Sequence, residues 1–201
     1  MICMRIAFFT DTYEPQKNGV VTSINFFARA LRKKGHEVKI FSPASPGYKN
    51  GKDIYALKSF EFPRYQGYRI GMPLLKPWQV KNFDIIHVHT PATLGIIGIA
   101  LAKYYKIPVV GTFHTLLPEF AQYISFRGTE KITKKFLWKY SSIFYSKCDV
   151  AIAPSNYIKK ILERHGIADV AVVPTGIKNK KNKTSKMSLR KKYAFAKNDQ
   201  I

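Results

Sequence analysis

Acidic residues are scarce in this chain. Its 201 residues include 12 Asp and Glu against 34 Lys and Arg, giving a formal net charge of +22. That balance favours anionic partners, such as lipid surfaces, nucleic acid or acidic substrates, without choosing among them. Cysteine is scarcer still. Cys3 and Cys148 supply neither a disulfide framework nor a metal quartet, and a reducing cytosol is the simplest compartment. No charged region followed by a small-residue cleavage site precedes the apolar run at Ile6, so no signal peptide is expected. The apolar run Leu94 to Ala102 is too short to span a bilayer. Walker loops, GxGxxG fingerprints and HExxH motifs are missing. His87 and His89 lack Cys or carboxylate neighbours at ligand spacing, so no metal is expected.

What remains is an order-forming sequence. Hydrophobic residues make up 46% of it and aromatics 14%, which excludes general disorder. The length suits one domain and slightly more. The organising stretch is Arg5 to Val21. An apolar run from Ile6 to Phe9 gives way to a loop with Asp11, Tyr13, Glu14, Asn18 and Gly19. Val20, Ile24, Phe27 and Leu31 then recur at helical spacing. Strand, loop and helix in that order open a doubly wound α/β domain, in which ligands sit beyond the carboxyl ends of the strands. A glycine at the helix start lets an anionic group approach the free N–H groups of the first turn.

The pattern repeats. Helix Val20 to Lys34 is followed by strands Val38 to Phe41 and Ile54 to Leu57. Phe60 to Pro73 reads as a long loop and Leu74 to Asn82 as a short helix. Strand Ile85 to Val88 leads into His89-Thr90-Pro91, then into helix Leu94 to Tyr105, whose near-continuous apolar surface predicts deep burial. Strand Pro108 to Gly111 leads into Thr112-Phe113-His114-Thr115. Strand Val150 to Ala153, helix Asn156 to His165 and strand Val170 to Val173 complete the series. Repeated crossovers between β-branched strands imply a mostly parallel Rossmann-like sheet with helices on both faces.

Two segments depart from this alternation. Between Leu116 and Lys147 lies a basic amphipathic helix. Ile132, Phe136, Tyr140, Ile143 and Phe144 share one side, and Lys131, Lys134, Lys135 and Lys139 fall largely elsewhere, with Trp138 among them. That composition fits an anionic membrane interface. It equally fits a surface helix packed on its own domain through Phe136, Tyr140 and Phe144. From Lys178 to Ile201 there are nine basic residues and one acidic, the composition of a linker, with a short helix near Leu189 to Tyr193. Without this tail the body still carries +14.

Five segments together carry a family resemblance: MRIAFFTDTYEPQKNGV at Met4 to Val20, FDIIHVHTP at Phe83 to Pro91, VVGTFHT at Val109 to Thr115, CDVAIAPS at Cys148 to Ser155, and VPTGI at Val173 to Ile177. In their order and spacing the chain resembles the amino-terminal domain of a family 4 retaining glycosyltransferase of the two-Rossmann-domain, or GT-B, type. More narrowly it is similar to the diacylglycerol glucosyltransferases. The resemblance implies an acceptor-side domain over residues 1–177. It implies an interdomain linker over 178–201, leading to a donor-binding domain that this chain lacks, and hence no turnover by the chain alone. Lys178 departs from the family pattern, where an acidic residue normally follows VPTGI.

The resemblance also assigns roles. Gly19 would give a backbone contact to the diphosphate or sugar of a donor such as UDP-glucose, with Val20 supporting the loop. His114, the first catalytic candidate, would sit beside the transferred sugar, and Thr115 after it is a candidate for substrate binding. Asp11, which also sits at a strand end, is the second catalytic candidate and would orient the acceptor, position His114 or hold the glycine loop. His89 and Thr90, at a strand exit, are candidates for substrate contact, while His87 reads as support. No cofactor is implied beyond the donor, and no pair of protein carboxylates, because leaving-group phosphate would help deprotonate the acceptor on the same face. The expected setting is the cytoplasmic side of the cell membrane, with an anionic lipid surface as partner through Lys131, Lys134, Lys135, Trp138 and Lys139. A soluble sugar, polysaccharide or metabolite acceptor stays open, as does a non-catalytic carbohydrate- or lipid-binding domain. Nucleic-acid binding has only the charge in its favour.

Overall fold

The computed structural model describes residues 2–61, 69–72, 74–114, 116–120, 128–176 and 186–194. Seven strands form one parallel sheet: β1 (Arg5–Phe9), β2 (Glu37–Pro43), β3 (Ile54–Leu57), β6 (Ile85–Val88), β7 (Val109–Thr112), β8 (Val150–Ala153) and β9 (Val170–Val172). Their order is β3-β2-β1-β6-β7-β8-β9. Successive strands are added on one side of β1 and then, from β6 onward, on the other. The direction of winding therefore reverses between β1 and β6, where Phe8 pairs with His87 and Phe9 with Val88. A crevice opens at such a reversal beyond the strand ends.

The helices cover both faces. Helix α1 (Gly19–Lys33) sets Val21, Ile24 and Ala28 against Ile6, Phe8, Val38 and Ile40. Helices α2 (Thr93–Tyr105), α3 (Glu130–Tyr145) and α4 (Asn156–Arg164) share the larger opposite core, with Leu94, Phe144 and Leu162 packed with Phe9, Phe41, Ile86 and Val88. Phe9, Phe41 and Tyr55 stack in series at 4.6 and 4.7 Å between centroids. Each fully buried Phe contributes roughly 2–3 kcal/mol of transfer free energy, so this ladder is a main tie between β1, β2 and β3.

The expected strands and the four main helices occur within a few residues of their expected ends, and the Rossmann-like fold class stands. The stretch from Phe60 is not one long loop: β4 (Ser59–Glu61) and β5 (Arg69–Gly71) pair antiparallel, and the Arg69 guanidinium donates to the Ser59 hydroxyl and carbonyl at 2.8 and 2.9 Å. Leu74 to Asn82 contains only a 3₁₀ turn at Pro77–Gln79. Its large apolar residues Leu74 and Trp78 are exposed, so no buried stripe supports a longer helix. Helix α2 is less enclosed than its composition suggested, since Ile96 and Tyr104 face solvent. Helix α5 (Lys186–Lys192) starts three residues earlier than expected, and most of the remaining basic tail lies outside the described residues.

Candidate active site

The loop leaving β1 begins with three buried polar residues, Thr10, Asp11 and Thr12, whose groups must find partners. The Thr10 hydroxyl donates to the Thr12 carbonyl at 2.8 Å, and the Asn18 amide donates to the Thr12 hydroxyl at 2.8 Å. The Asn18 carbonyl oxygen accepts the N–H of Val21 at 2.9 Å, capping α1. Asn18 thus fixes where the helix starts and holds its amino end at the crevice. Gly19 is the first helical residue. A Cβ placed on it would meet nothing within 4 Å, so packing within this chain does not require a glycine there. What glycine leaves is bare backbone at the positive end of a helix. Val20 lines the same cleft and also packs against the α1 core.

Asp11 is 1% exposed, and its carboxylate faces α2. It accepts the Thr93 hydroxyl at 2.7 Å, the Leu94 N–H at 2.9 Å, the Gly95 N–H at 3.4 Å and the Thr90 hydroxyl at 2.7 Å. The N-cap position of α2 is Ala92, which offers no side-chain oxygen, so Asp11 caps this helix from a distant loop. Its own N–H donates to the Thr90 hydroxyl at 2.7 Å. Gly95 belongs to the same junction: a Cβ there would lie 1.9 Å from the Thr90 carbonyl oxygen. Asp11 therefore holds the loop leaving β6, and is not among the residues lining the cleft.

Three histidines run from the sheet toward the cleft. The His87 and His89 rings stack at 4.1 Å, and those of His89 and His114 at 5.3 Å. His87 Nε2 lies 2.6 Å from the Thr112 hydroxyl, and His89 Nδ1 lies 3.0 Å from His114 Nε2. Burial pulls the His87 pKa down to about 3 and that of His114 to about 4. Burial also holds His89 well below the ordinary value, with smaller contributions from His87 and His114. All three rings are neutral near pH 7. They form a stack and not a ligand set: among the described residues no group of three or more His, Cys, Asp or Glu is arranged to hold a metal ion.

These elements enclose a cleft of about 830 Å³ at the winding reversal. Gly19 and Val20 line it from α1, Thr90 and Pro91 from the β6 exit, and Phe113 and His114 from the β7 exit. Val173 and Thr175 line it from beyond β9. His89 is also among the lining residues, although only 1% of it is exposed. Thr115 lies outside the described residues. Sequence reasoning singled out neither the Asn18 cap nor Thr93 and Thr112; an Asn before a helix-starting Gly was the readable signal for the first.

Helix α3 flanks this cleft. The Tyr140 hydroxyl donates to the Pro91 carbonyl at 2.5 Å, and burial, then the Asp11 charge, raise its pKa and keep it protonated. Trp138 faces inward, stacked on His165 at 3.6 Å and parallel to Phe113 at 6.5 Å. Lys134 is paired with Glu119 at 2.7 Å. Phe144 is buried, whereas Ile132, Phe136 and Ile143 are 73%, 66% and 52% exposed. Lys131, Lys135 and Lys139 are exposed beside them. The helix packs on its own domain through one side and presents an apolar, lysine-flanked stripe on the other.

Against known proteins, the family model described as Glycosyltransferase Family 4 matches residues 17–181. An alpha-monoglucosyldiacylglycerol synthase of Streptococcus pneumoniae is 34% identical over 186 residues, covering 87% of this chain and 41% of that protein. One from Acholeplasma laidlawii is 29% identical over 186 residues, covering 87% and 46%. The chain thus spans less than half the length of these curated relatives, and the match falls on their amino-terminal half. Among solved structures, sucrose-phosphate synthase of Thermosynechococcus elongatus superposes with a TM-score of 0.60 at 17% identity, over 87% of this chain and 48% of that one, which shows a shared fold. With a crevice at the winding reversal, a capped glycine helix start facing it and this family match over most of its length, the chain belongs to Glycosyltransferase Family 4.

Proposed function

We propose that this chain is the acceptor-side half of a retaining glycosyltransferase that moves a hexose from a nucleotide sugar, such as UDP-glucose, to a membrane lipid hydroxyl such as that of diacylglycerol. The reading rests foremost on the cleft that joins the bare backbone of Gly19 to His114. Transfer develops positive charge at the anomeric carbon and negative charge on the departing diphosphate. The amino end of α1, held by Asn18, presents N–H groups and a partial positive charge suited to that diphosphate. Neutral His114 is suited to hydrogen-bond a sugar hydroxyl. Retention needs no carboxylate pair in this scheme, because leaving phosphate accepts the acceptor proton on the same face. The Asp11 carboxylate is engaged with α2, which agrees with a supporting role.

The lipid acceptor rests on the exposed face of α3. Ile132, Phe136 and Ile143 offer apolar insertion, while Lys131, Lys135 and Lys139 offer attraction to an anionic leaflet. The helix returns from the carboxyl edge of the sheet, and Tyr140 ties it to the cleft wall at Pro91. A surface docked through α3 therefore lies beside the cleft. No helix among the described residues is long and apolar enough to cross a membrane, and in this reading the protein acts from the cytoplasmic leaflet. In this reading the donor-binding half belongs to the part of the complete protein that this chain, at less than half the length of its relatives, does not span.

The test uses the complete transferase carrying this chain, supplied with nucleotide sugars and either diacylglycerol vesicles or soluble sugar acceptors, with the anomeric configuration of the product determined. An α-linked glycolipid from an α-configured donor is expected. An inverted product ends the retaining assignment, and transfer confined to soluble acceptors ends the lipid one.

A further inference from the structure

His89 is placed where a substrate contact is difficult. Phe8, His87 and Phe27 surround its ring, with centroids at 4.6, 4.1 and 6.5 Å. Among the described residues its side chain makes one polar contact, from Nδ1 to His114 Nε2 at 3.0 Å, and its buried Nε2 has no hydrogen-bond partner. Both rings are neutral, so a single hydrogen lies between the two nitrogens. Two arrangements satisfy that count. If His114 donates from Nε2, His89 must carry its own hydrogen on Nε2, which is then a buried donor with no acceptor. If His89 donates from Nδ1, its Nε2 is a bare nitrogen among aromatic rings, and His114 must carry its hydrogen on Nδ1. Orphaned buried N–H groups are the rarer arrangement in folded proteins, which favours the second.

We propose that His89 is a positioning residue, whose Nδ1–H donates to His114 Nε2 and so fixes the ring orientation of His114 and the tautomer that carries hydrogen on Nδ1. The nitrogen left to His114 for a ligand is then a donor and not an acceptor. It suits an oxygen lone pair, such as that of a sugar hydroxyl, and cannot take a proton from one. This assignment refines the transferase reading at the same cleft, since the ligand class comes from that reading, but the tautomer itself does not depend on any substrate.

The test is nitrogen NMR of the 15N-histidine-labelled chain near pH 7, with no ligand added. The His114 resonances should show a protonated Nδ1 and a bare Nε2, and those of His89 the same pattern. His89→Asn keeps an amide nitrogen near the place of Nδ1 and should preserve the His114 tautomer. His89→Leu should convert His114 to a mixture of tautomers. A protonated Nε2 on His114 in the unaltered chain overturns the proposal without any variant having to fold. A folded His89→Leu chain with an unchanged His114 spectrum also overturns it. Either result leaves sugar transfer itself untouched, and a failure of transfer leaves the tautomer result standing.

Discussion

The carboxylate of Asp11 accepts the backbone N–H of Leu94 at 2.9 Å, across 83 positions of sequence. One buried acid on the β1 loop thereby caps the helix that follows β6 and ties together the two walls flanking the winding reversal. Asp11→Ala removes the acceptor for two backbone N–H groups and two hydroxyls at once. It should cost about 3 kcal/mol or more, by combining a lost cap with unpaired buried donors. Asp11→Asn keeps one carbonyl acceptor and should cost distinctly less. Urea unfolding of the two variants checks the order, and equal losses would mean that the cap is not what holds this junction.

The histidine stack makes the fold acid-sensitive. The folded pKa of His87 is about 3 and that of His114 about 4, with His89 also depressed, all below the ordinary 6.5 of an unfolded chain. The unfolded state therefore binds more protons below pH 6.5. The stability from neutral burial is complete above that value and is lost as pH falls toward the folded values. Each such imidazole removes about 1.4 kcal/mol per pH unit, so three together remove about 4 kcal/mol per unit. Unfolding free energies at pH 7, 6 and 5 should fall with increasing slope, while a flat profile would show that the rings titrate in the folded state.

Substitution of Gly19 is expected to separate binding from folding. Its Cβ position is empty, and alanine is a better helix former than glycine, so Gly19→Ala should alter stability by less than about 1 kcal/mol. In the complete transferase the same methyl group would stand between the helix backbone and the donor phosphates. Donor affinity should fall at least about tenfold, equivalent to about 1.4 kcal/mol. Calorimetric titration with the nucleotide sugar, alongside a melting curve, reads both quantities. Unchanged affinity would move the donor away from the α1 terminus.

The sheet was legible because short runs rich in β-branched residues, such as Ile85 to Val88, stand out between turn residues. The β4–β5 ribbon was not, since three-residue strands carry too little alternation to register. The cleft was legible in part: Gly19, Val20, Thr90 and His114 converge on it, each sitting at a strand exit or helix start. The neighbour that a side chain chooses was less readable. Asp11 finds its partners on an element 79 to 84 residues away. Trp138 and Phe136, two residues apart on α3, point to opposite environments because Phe113 and His165 supply a stacking slot for only one of them. A helix with aromatic residues around much of its circumference does not announce which side is covered.

If α3 docks on an anionic leaflet, each well-placed lysine contributes roughly 1 kcal/mol, and the attraction weakens with salt while apolar insertion persists. Changing Lys131, Lys135 and Lys139 together to Gln should remove most of the salt-sensitive binding to anionic vesicles, and Phe136→Ser with Ile132→Ser most of the remainder. Lys134→Gln should matter less, because its charge is already paired with Glu119. Trp138→Phe should lower stability through loss of the His165 stack without lowering membrane affinity in the protein that stays folded. The chain ending at residue 177 should still bind, because the stripe, and not the basic tail, is the proposed contact. Cosedimentation with anionic and neutral vesicles across a salt series measures each of these. Binding that disappears with the tail but ignores every α3 change would assign the attraction to residues 178–201, and a soluble acceptor would then become the better reading of the cleft.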